Sequence, residues 1–162
     1  MNSDTLSISS AALDSPDARA LIAALNAELS AIYHEPGATH FTLDPTQVTA
    51  GRGSFLILRR DGVAVGCGAL RLIDATTAEL KRMYVAPEAR GSGLGRQLVA
   101  ALETQARSLG VRRLVLETGV RQAAALALYR ATGFELIPLY GEYVHSPDTS
   151  VCMGKELRAG ER

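Results

Sequence analysis

Between Arg90 and Gly95 the chain reads Arg-Gly-Ser-Gly-Leu-Gly, with three glycines within five residues. An apolar run ending in Met83-Tyr84-Val85-Ala86-Pro87 precedes it, and an apolar-periodic segment, LGRQLVAALETQARSLG, follows. A loosened backbone where a helix should begin narrows the options. The first turn of a helix has amide N–H groups without intrahelical partners, and the helix dipole places about half a positive charge there. Glycine removes the Cβ that would bar approach and permits the turn that aims several amides at one point. Gly91, Gly93 and Gly95 are therefore expected to cradle a phosphate, with Arg90 and Arg96 adding charge-assisted contacts. Taken alone, the string also fits a glycine-rich turn that binds nothing. A P-loop would need Gly-Lys-Ser/Thr where this chain has Gly95-Arg96-Gln97. A dinucleotide fingerprint would space its glycines G-x-G-x-x-G and open an early parallel βαβ unit. Here the spacing is G-x-G-x-G.

The surrounding elements follow from periodicity. TLSISSAAL reads as a strand, and DSPDARALIAALNAELSAIY as a helix with Ser15 as its cap and Pro16 in its first turn. Ala18, Leu21, Ile22, Leu25, Leu29 and Ile32 form its apolar stripe. HEPGATHFTLDPTQVTAGRG reads as loop, with a short helix after Asp44. SFLILRR and VAVGCGALRLI are strands joined by Asp61-Gly62, a hairpin signal because both residues tolerate positive φ. ATTAELKRMYVAP supplies a third strand. After the glycine string come a helix with Leu94, Leu98, Leu102 and Leu109 on one face and Gly110 at its end, then the strand VRRLVLET. RQAAALALYRATGF is a helix ended by Gly133, and FELIPL and SVCMGKEL are the last strands. The expected order is β-α-βββ-α-β-α-ββ, an α/β fold with a mixed, mostly antiparallel sheet of about seven strands.

At 162 residues and 47% apolar content, one domain with one core is expected over 1–162. Seventeen basic side chains balance seventeen acidic ones, which argues against a nucleic-acid-coating protein. No apolar run is long enough for a membrane span, and the N-terminus lacks the pattern of a secretory signal, so a cytoplasmic location is expected. Cys67 and Cys152 read as two buried thiols, and His34, His40 and His145 show no metal-site spacing, so no metal is expected.

Two motifs then coincide. Arg90-Gly91-Ser92-Gly93-Leu94-Gly95 resembles the Arg/Gln-x-x-Gly-x-Gly/Ala signature of the GNAT superfamily of acetyl-CoA-dependent N-acetyltransferases, following a strand and opening a helix as that family requires. QAAALALYRATGF resembles the family's Asn-x-x-Ala-x-x-Leu-Tyr-x-x-x-Gly-Phe segment, with Ala125, Leu128, Tyr129, Gly133 and Phe134 in register and Gln122 where Asn is common. The resemblance covers 54–134, the expected acetyl-CoA-binding core. The first fifty residues would form the acceptor side, and 134–158 the closing strands.

The resemblance implies that acetyl-CoA lays its diphosphate over the amides from Gly91 to Arg96. Its pantetheine arm would pair with Met83, Tyr84 and Val85 beside a splaying neighbour strand. An N–H near Tyr84 or Val85 would stabilise the oxyanion. The reaction implied is direct attack of an amine on the thioester, without an acyl-enzyme. Tyr129 matches the family tyrosine beside the sulfur; a phenol with pKa near ~10 can donate to a thiolate whose acid has pKa near ~8.5. Packing of its ring on the sheet is the alternative.

For the base, Glu79 comes first, since Glu79, Lys81, Met83 and Val85 alternate to one face of a strand entering the cleft. A surface ion pair with Lys81 or Arg82 is its alternative. Glu117, ending the neighbouring strand, comes second. Tyr33, His40 and Phe41 on one side, and Tyr140 and Tyr143 on the other, are expected to line the acceptor pocket. The expected acceptor is a small-molecule amine. A CoA-binding sensor without catalysis and a protein or peptide N-acetyltransferase are the other readings. Oligomeric state stays open; dimers are frequent in the family.

Overall fold

The structure is a computed structural model and describes residues 5–35 and 43–157. The elements are β1 (Leu6–Ser10), α1 (Pro16–Ile32), β2 (Gly53–Arg60), β3 (Val63–Leu72), β4 (Thr77–Val85), α2 (Leu94–Ser108), β5 (Arg113–Gly119), α3 (Ala123–Ala131), β6 (Glu135–Ile137) and β7 (Ser150–Glu156). This is the expected order. The strands form one seven-stranded sheet, ordered β1-β2-β3-β4-β5-β7-β6. Every adjacent pair is antiparallel except β4 and β5. A parallel pair needs a crossover, and α2 supplies it.

The punctuating residues act as their chemistry dictates. Asp61 and Gly62 both take positive φ at the β2–β3 turn, at 52° and 81°. Gly110 and Gly133, with φ of 82° and 97°, end α2 and α3. Asp44 starts a short 3-10 turn at Pro45–Val48, where its carboxylate accepts from the Thr46 amide at 2.9 Å. Ser15 departs from expectation. It occupies the N-cap position of α1, yet its hydroxyl makes no cap bond and is buried without a partner among the described residues.

Two apolar layers cover the sheet. On one face α2 and α3 bury Leu98, Leu102, Ala106, Tyr129 and Phe134 against strand residues such as Leu70, Leu80, Leu114, Leu116 and Met153. On the other, α1 lays Ala18, Leu21 and Leu25 against Phe55, Ile57, Cys67, Ala69 and Tyr84. Both thiols are free and buried, as expected.

One irregularity reassigns the faces of β4. Its pairing with β3 jumps from Cys67–Tyr84 to Ala69–Lys81, so Arg82 and Met83 together oppose Gly68. Arg82 takes the left-handed conformation, φ 56°, that such a bulge demands. The extra residue inverts the alternation. Lys81 pairs with Ala69 on the α1 face, whereas Met83 and Val85 pack on the α2 face. The expectation that Glu79, Lys81, Met83 and Val85 share one face is therefore corrected: the first two lie opposite the last two.

Gly68 makes the bulge packable. A Cβ there would sit 2.5 Å from Met83 Sδ and 2.8 Å from Leu102 Cδ1. Gly68→Ala should overpack this seam and cost about 1–3 kcal/mol in urea unfolding. A loss below a few tenths would show that the two side chains move aside freely.

Candidate active site

The parallel pairing of β4 with β5 ends at Leu80–Leu116. Beyond that point β4 continues to Val85 and β5 to Gly119, with no pairing between them. The opened sheet leaves a cleft of about 500 Å³, lined by the end of β4, the start of α2 and one flank of α3. A smaller cavity of about 110 Å³ lies behind it, on the β5 side. Leu25, Met83, Gln122, Ala125 and Tyr129 wall both.

The glycine string turns into α2 at the mouth of the larger cleft. Gly91 and Gly93 have φ of 88° and 82°, and a Cβ on either would meet no protein atom within 4 Å. The amides from Gly91 to Arg96 donate to no acceptor among the described residues, and the dipole of the fifteen-residue α2 begins at Leu94. This is a concave, electropositive corner built from backbone, suited to a diphosphate. The arrangement fits the phosphates of acetyl-CoA.

Gly95 has a different task from its neighbours. A Cβ there would lie 3.0 Å from Leu128 Cδ2, so this glycine lets α3 approach α2. Arg90 is already occupied: its Nε donates to the Val85 carbonyl at 2.8 Å and its Nη2 meets Glu28 on α1 at 2.7 Å. Arg96 lines the cleft. The Ser92 hydroxyl caps the Ala89 carbonyl at 3.1 Å, and Leu94 is buried at the head of the helix. Gln122 turns inward to the chain, its Oε1 accepting from the Gly119 amide at 2.8 Å.

Tyr129 stands where the two cavities meet. Its ring is 5% exposed and held edge-on by Phe134 at 5.7 Å. Its hydroxyl has no hydrogen-bond partner among the described residues. Burial, and secondarily the Glu117 charge, push the phenol well above its ordinary value, so it stays protonated.

The two carboxylates differ. Glu79 is fully buried and lines neither cavity. Its Oε1 receives Arg71 Nε at 2.7 Å and its Oε2 the Tyr140 hydroxyl at 2.5 Å; the Tyr143 phenol donates as well. Glu117 lines the smaller cavity, and its Oε2 accepts from Ser150 Oγ at 2.7 Å. Burial pushes its carboxyl up to about 7, against the Ser150 bond and the nearby Lys81, which pull it down.

Of the expected acceptor residues, Tyr33 and Tyr143 wall the smaller cavity. Tyr33 also ties α1 to the β5–α3 turn, its hydroxyl accepting from the Arg121 amide at 2.9 Å. Tyr140 is spent on Glu79 and stacks edge-on with Tyr143 at 5.3 Å. His40 and Phe41 lie outside the described residues. Lys81, Arg82 and Ser150 were not expected as site residues. The first two stand beside Glu79 in ELKRM, where charges in a central strand are themselves a signal. Ser150 becomes legible only through the β5–β7 pairing.

Comparison with known proteins agrees with this geometry. The profile of the Acetyltransferase (GNAT) family matches residues 19–134, and the chain belongs to that family. An IAA acetyltransferase of Azospirillum brasilense is 40% identical over 138 residues, spanning 85% of this chain and 88% of its own. A Klebsiella pneumoniae structure, described as an acyl-CoA N-acyltransferase, superposes with a TM-score of 0.80 at 36% identity, over 94% of this chain and 98% of the other. An Elizabethkingia anophelis GNAT acetyltransferase solved with acetyl-CoA bound shares the fold, with a TM-score of 0.70 at 20% identity over 96% and 100% of the two chains. Among the described residues no helix is long and apolar enough to cross a membrane.

Proposed function

We propose that the chain transfers the acetyl group of acetyl-CoA to a primary amine of a small molecule, by direct attack within a ternary complex. The observation that carries this reading is the Tyr129 hydroxyl, which bonds to no other described residue and stands at the junction of a cofactor-sized cleft and a small polar cavity. In the proposed reaction the amine nitrogen forms the new C–N bond to the thioester carbon. The C–S bond breaks, Tyr129 gives its proton to the leaving thiolate, and Glu117 removes the proton that the amine sheds. An amide on the free edge of β4 would hold the oxyanion. Neither cysteine lines the two cavities, and burial pushes their thiols up to about 12 for Cys67 and about 11 for Cys152. Both are poor nucleophiles, which supports direct attack over an acyl-enzyme. A volume of about 110 Å³ suits a compact acceptor better than a peptide chain.

Glu117 replaces Glu79 as the favoured base. A carboxylate already accepting from Arg71, Tyr140 and Tyr143, and sealed from both cavities, is badly placed to take a proton from a substrate. A base must be ionised, so activity is present above the pKa of Glu117 and lost as pH falls through it. The kcat/KM profile should therefore carry an acid limb near pH 7, and Glu117→Gln should abolish that limb while lowering the plateau about 10²–10⁴-fold. A limb that survives the substitution would remove Glu117 from the chemistry.

The test of the whole reading is thiol release from acetyl-CoA against a panel of amines, and separately against IAA because the Azospirillum relative bears that name. Amine-dependent release is expected. Tight CoA binding without release for any amine would favour a sensing module.

A further inference from the structure

The two oxygens of Glu117 have different surroundings. On β5 this residue pairs with Cys152 of β7, so Ser150, two positions earlier on β7, is its diagonal neighbour on the same face of the sheet. The Ser150 hydroxyl donates to Oε2 at 2.7 Å. Ser150 is only 5% exposed and walls neither cavity. Its own amide donates to the Ser146 carbonyl at 2.9 Å, so the hydroxyl is carried on anchored backbone. Oε1 of Glu117 bonds to no other described residue. Nor is it sealed: among the described residues, Ser15 Oγ is the side-chain polar atom buried without a partner. One carboxylate oxygen is therefore tied to the sheet, and the other opens on the smaller cavity, which Glu117 walls.

We infer that Ser150 is a positioning residue: its hydroxyl grips Oε2 from β7 and so aims Oε1 of Glu117 into the smaller cavity. This rests on Glu117 serving as the base in the reading above, and it deepens that reading. A gripped carboxylate cannot turn freely about its last bond, which keeps the lone pairs of the free oxygen on the cavity side. The bond also sets the charge state. A hydroxyl donates more strongly to a carboxylate than to a neutral carboxyl, so it favours the ionised form against the burial that disfavours it. The other groups around Glu117 are Glu79 and Lys81 on β4, Glu142 and Tyr143 on the 3-10 turn Gly141–His145, Tyr129 on α3, Tyr33 after α1 and Cys152 on β7. Lys81 favours ionisation, and Glu79 and Glu142 oppose it. All of them stay when the Ser150 oxygen is removed, so its effect is read by difference.

The test titrates Glu117 in the full chain, without cofactor or acceptor, by carbon-detected NMR of the glutamate carboxyls. Its resonance is the one missing from Glu117→Gln. In Ser150→Ala the midpoint should rise by about one pH unit. Ser150→Thr and Ser150→Val form a second pair, matched in volume and suited to a strand, of which only Val should shift. The acid limb of kcat/KM, followed by thiol release with an amine from the panel above, should move up with the midpoint in Ala and Val and stay in Thr. Unchanged midpoints in Ala and Val would overturn the inference. A midpoint that moves while the limb stays overturns it as well, since the hydroxyl would then tune a carboxylate the reaction does not use. Both outcomes leave the acetyltransferase reading intact. Absence of release with every amine sinks that reading and the inference together, and the parent chain alone shows it.

Discussion

Tyr129→Phe is expected to lower kcat by about 10²–10⁴-fold while acetyl-CoA binds as before. The substitution removes one oxygen that bonds to no other described residue, so it costs the fold little. The Phe134 edge contact and the burial of the ring against Leu80 and Leu116 remain. What is lost is a proton donor held protonated by its surroundings. Burial and the Glu117 charge both keep the phenol from ionising across the working pH range. A thiolate departing without that donor must leave as an anion. Stopped-flow or steady-state thiol release separates this loss from binding, because the KM for acetyl-CoA should change little. Turnover equal to the parent's would reduce Tyr129 to a packing residue.

The second large effect is expected at Gly93. In Gly93→Val two penalties coincide. A β-branched residue at φ 82° costs about 1–2 kcal/mol of backbone strain, and its side chain would project into open space where the amides converge. Blocking two charge-assisted bonds to a diphosphate, each worth about 1.5–3 kcal/mol, weakens binding at least about a hundredfold. Gly110 supplies the control. It has the same φ of 82°, with equal space around it, at the far end of the same helix. Gly110→Val should match Gly93→Val in lost stability yet bind CoA normally by calorimetry. Equal affinity in both variants would mean that the string is only a turn.

Much of the architecture was legible because its signals are local. Apolar periodicity, Asp61-Gly62 and the terminal glycines Gly110 and Gly133 each encode an element or a boundary without reference to distant residues. The open turn at the start of α2 was legible for the same reason: glycine at a helix start has a direct backbone meaning. What stayed hidden depends on partners far away in sequence. The bulge at Arg82 is taken by a residue with no glycine-like freedom, and only Gly68 across the ladder makes room for it. Without it, period-two counting put Glu79 on the wrong side of Met83 and made it the first candidate base. Ser150 reaches Glu117 across 33 residues, and the distribution of donors around Glu79 comes from β3 and the 3-10 turn at Gly141–His145. Gly95 shows that one motif holds two functions. Two of its glycines take positive φ beside open space, and the third lets one helix pack on another.

The most direct measurement is a crystal structure of the chain with acetyl-CoA. The diphosphate should lie within hydrogen-bond distance of amides between residues 91 and 96, and the sulfur should sit within reach of the Tyr129 hydroxyl. A cofactor seated away from the start of α2, or a thioester facing away from that phenol, would contradict the account.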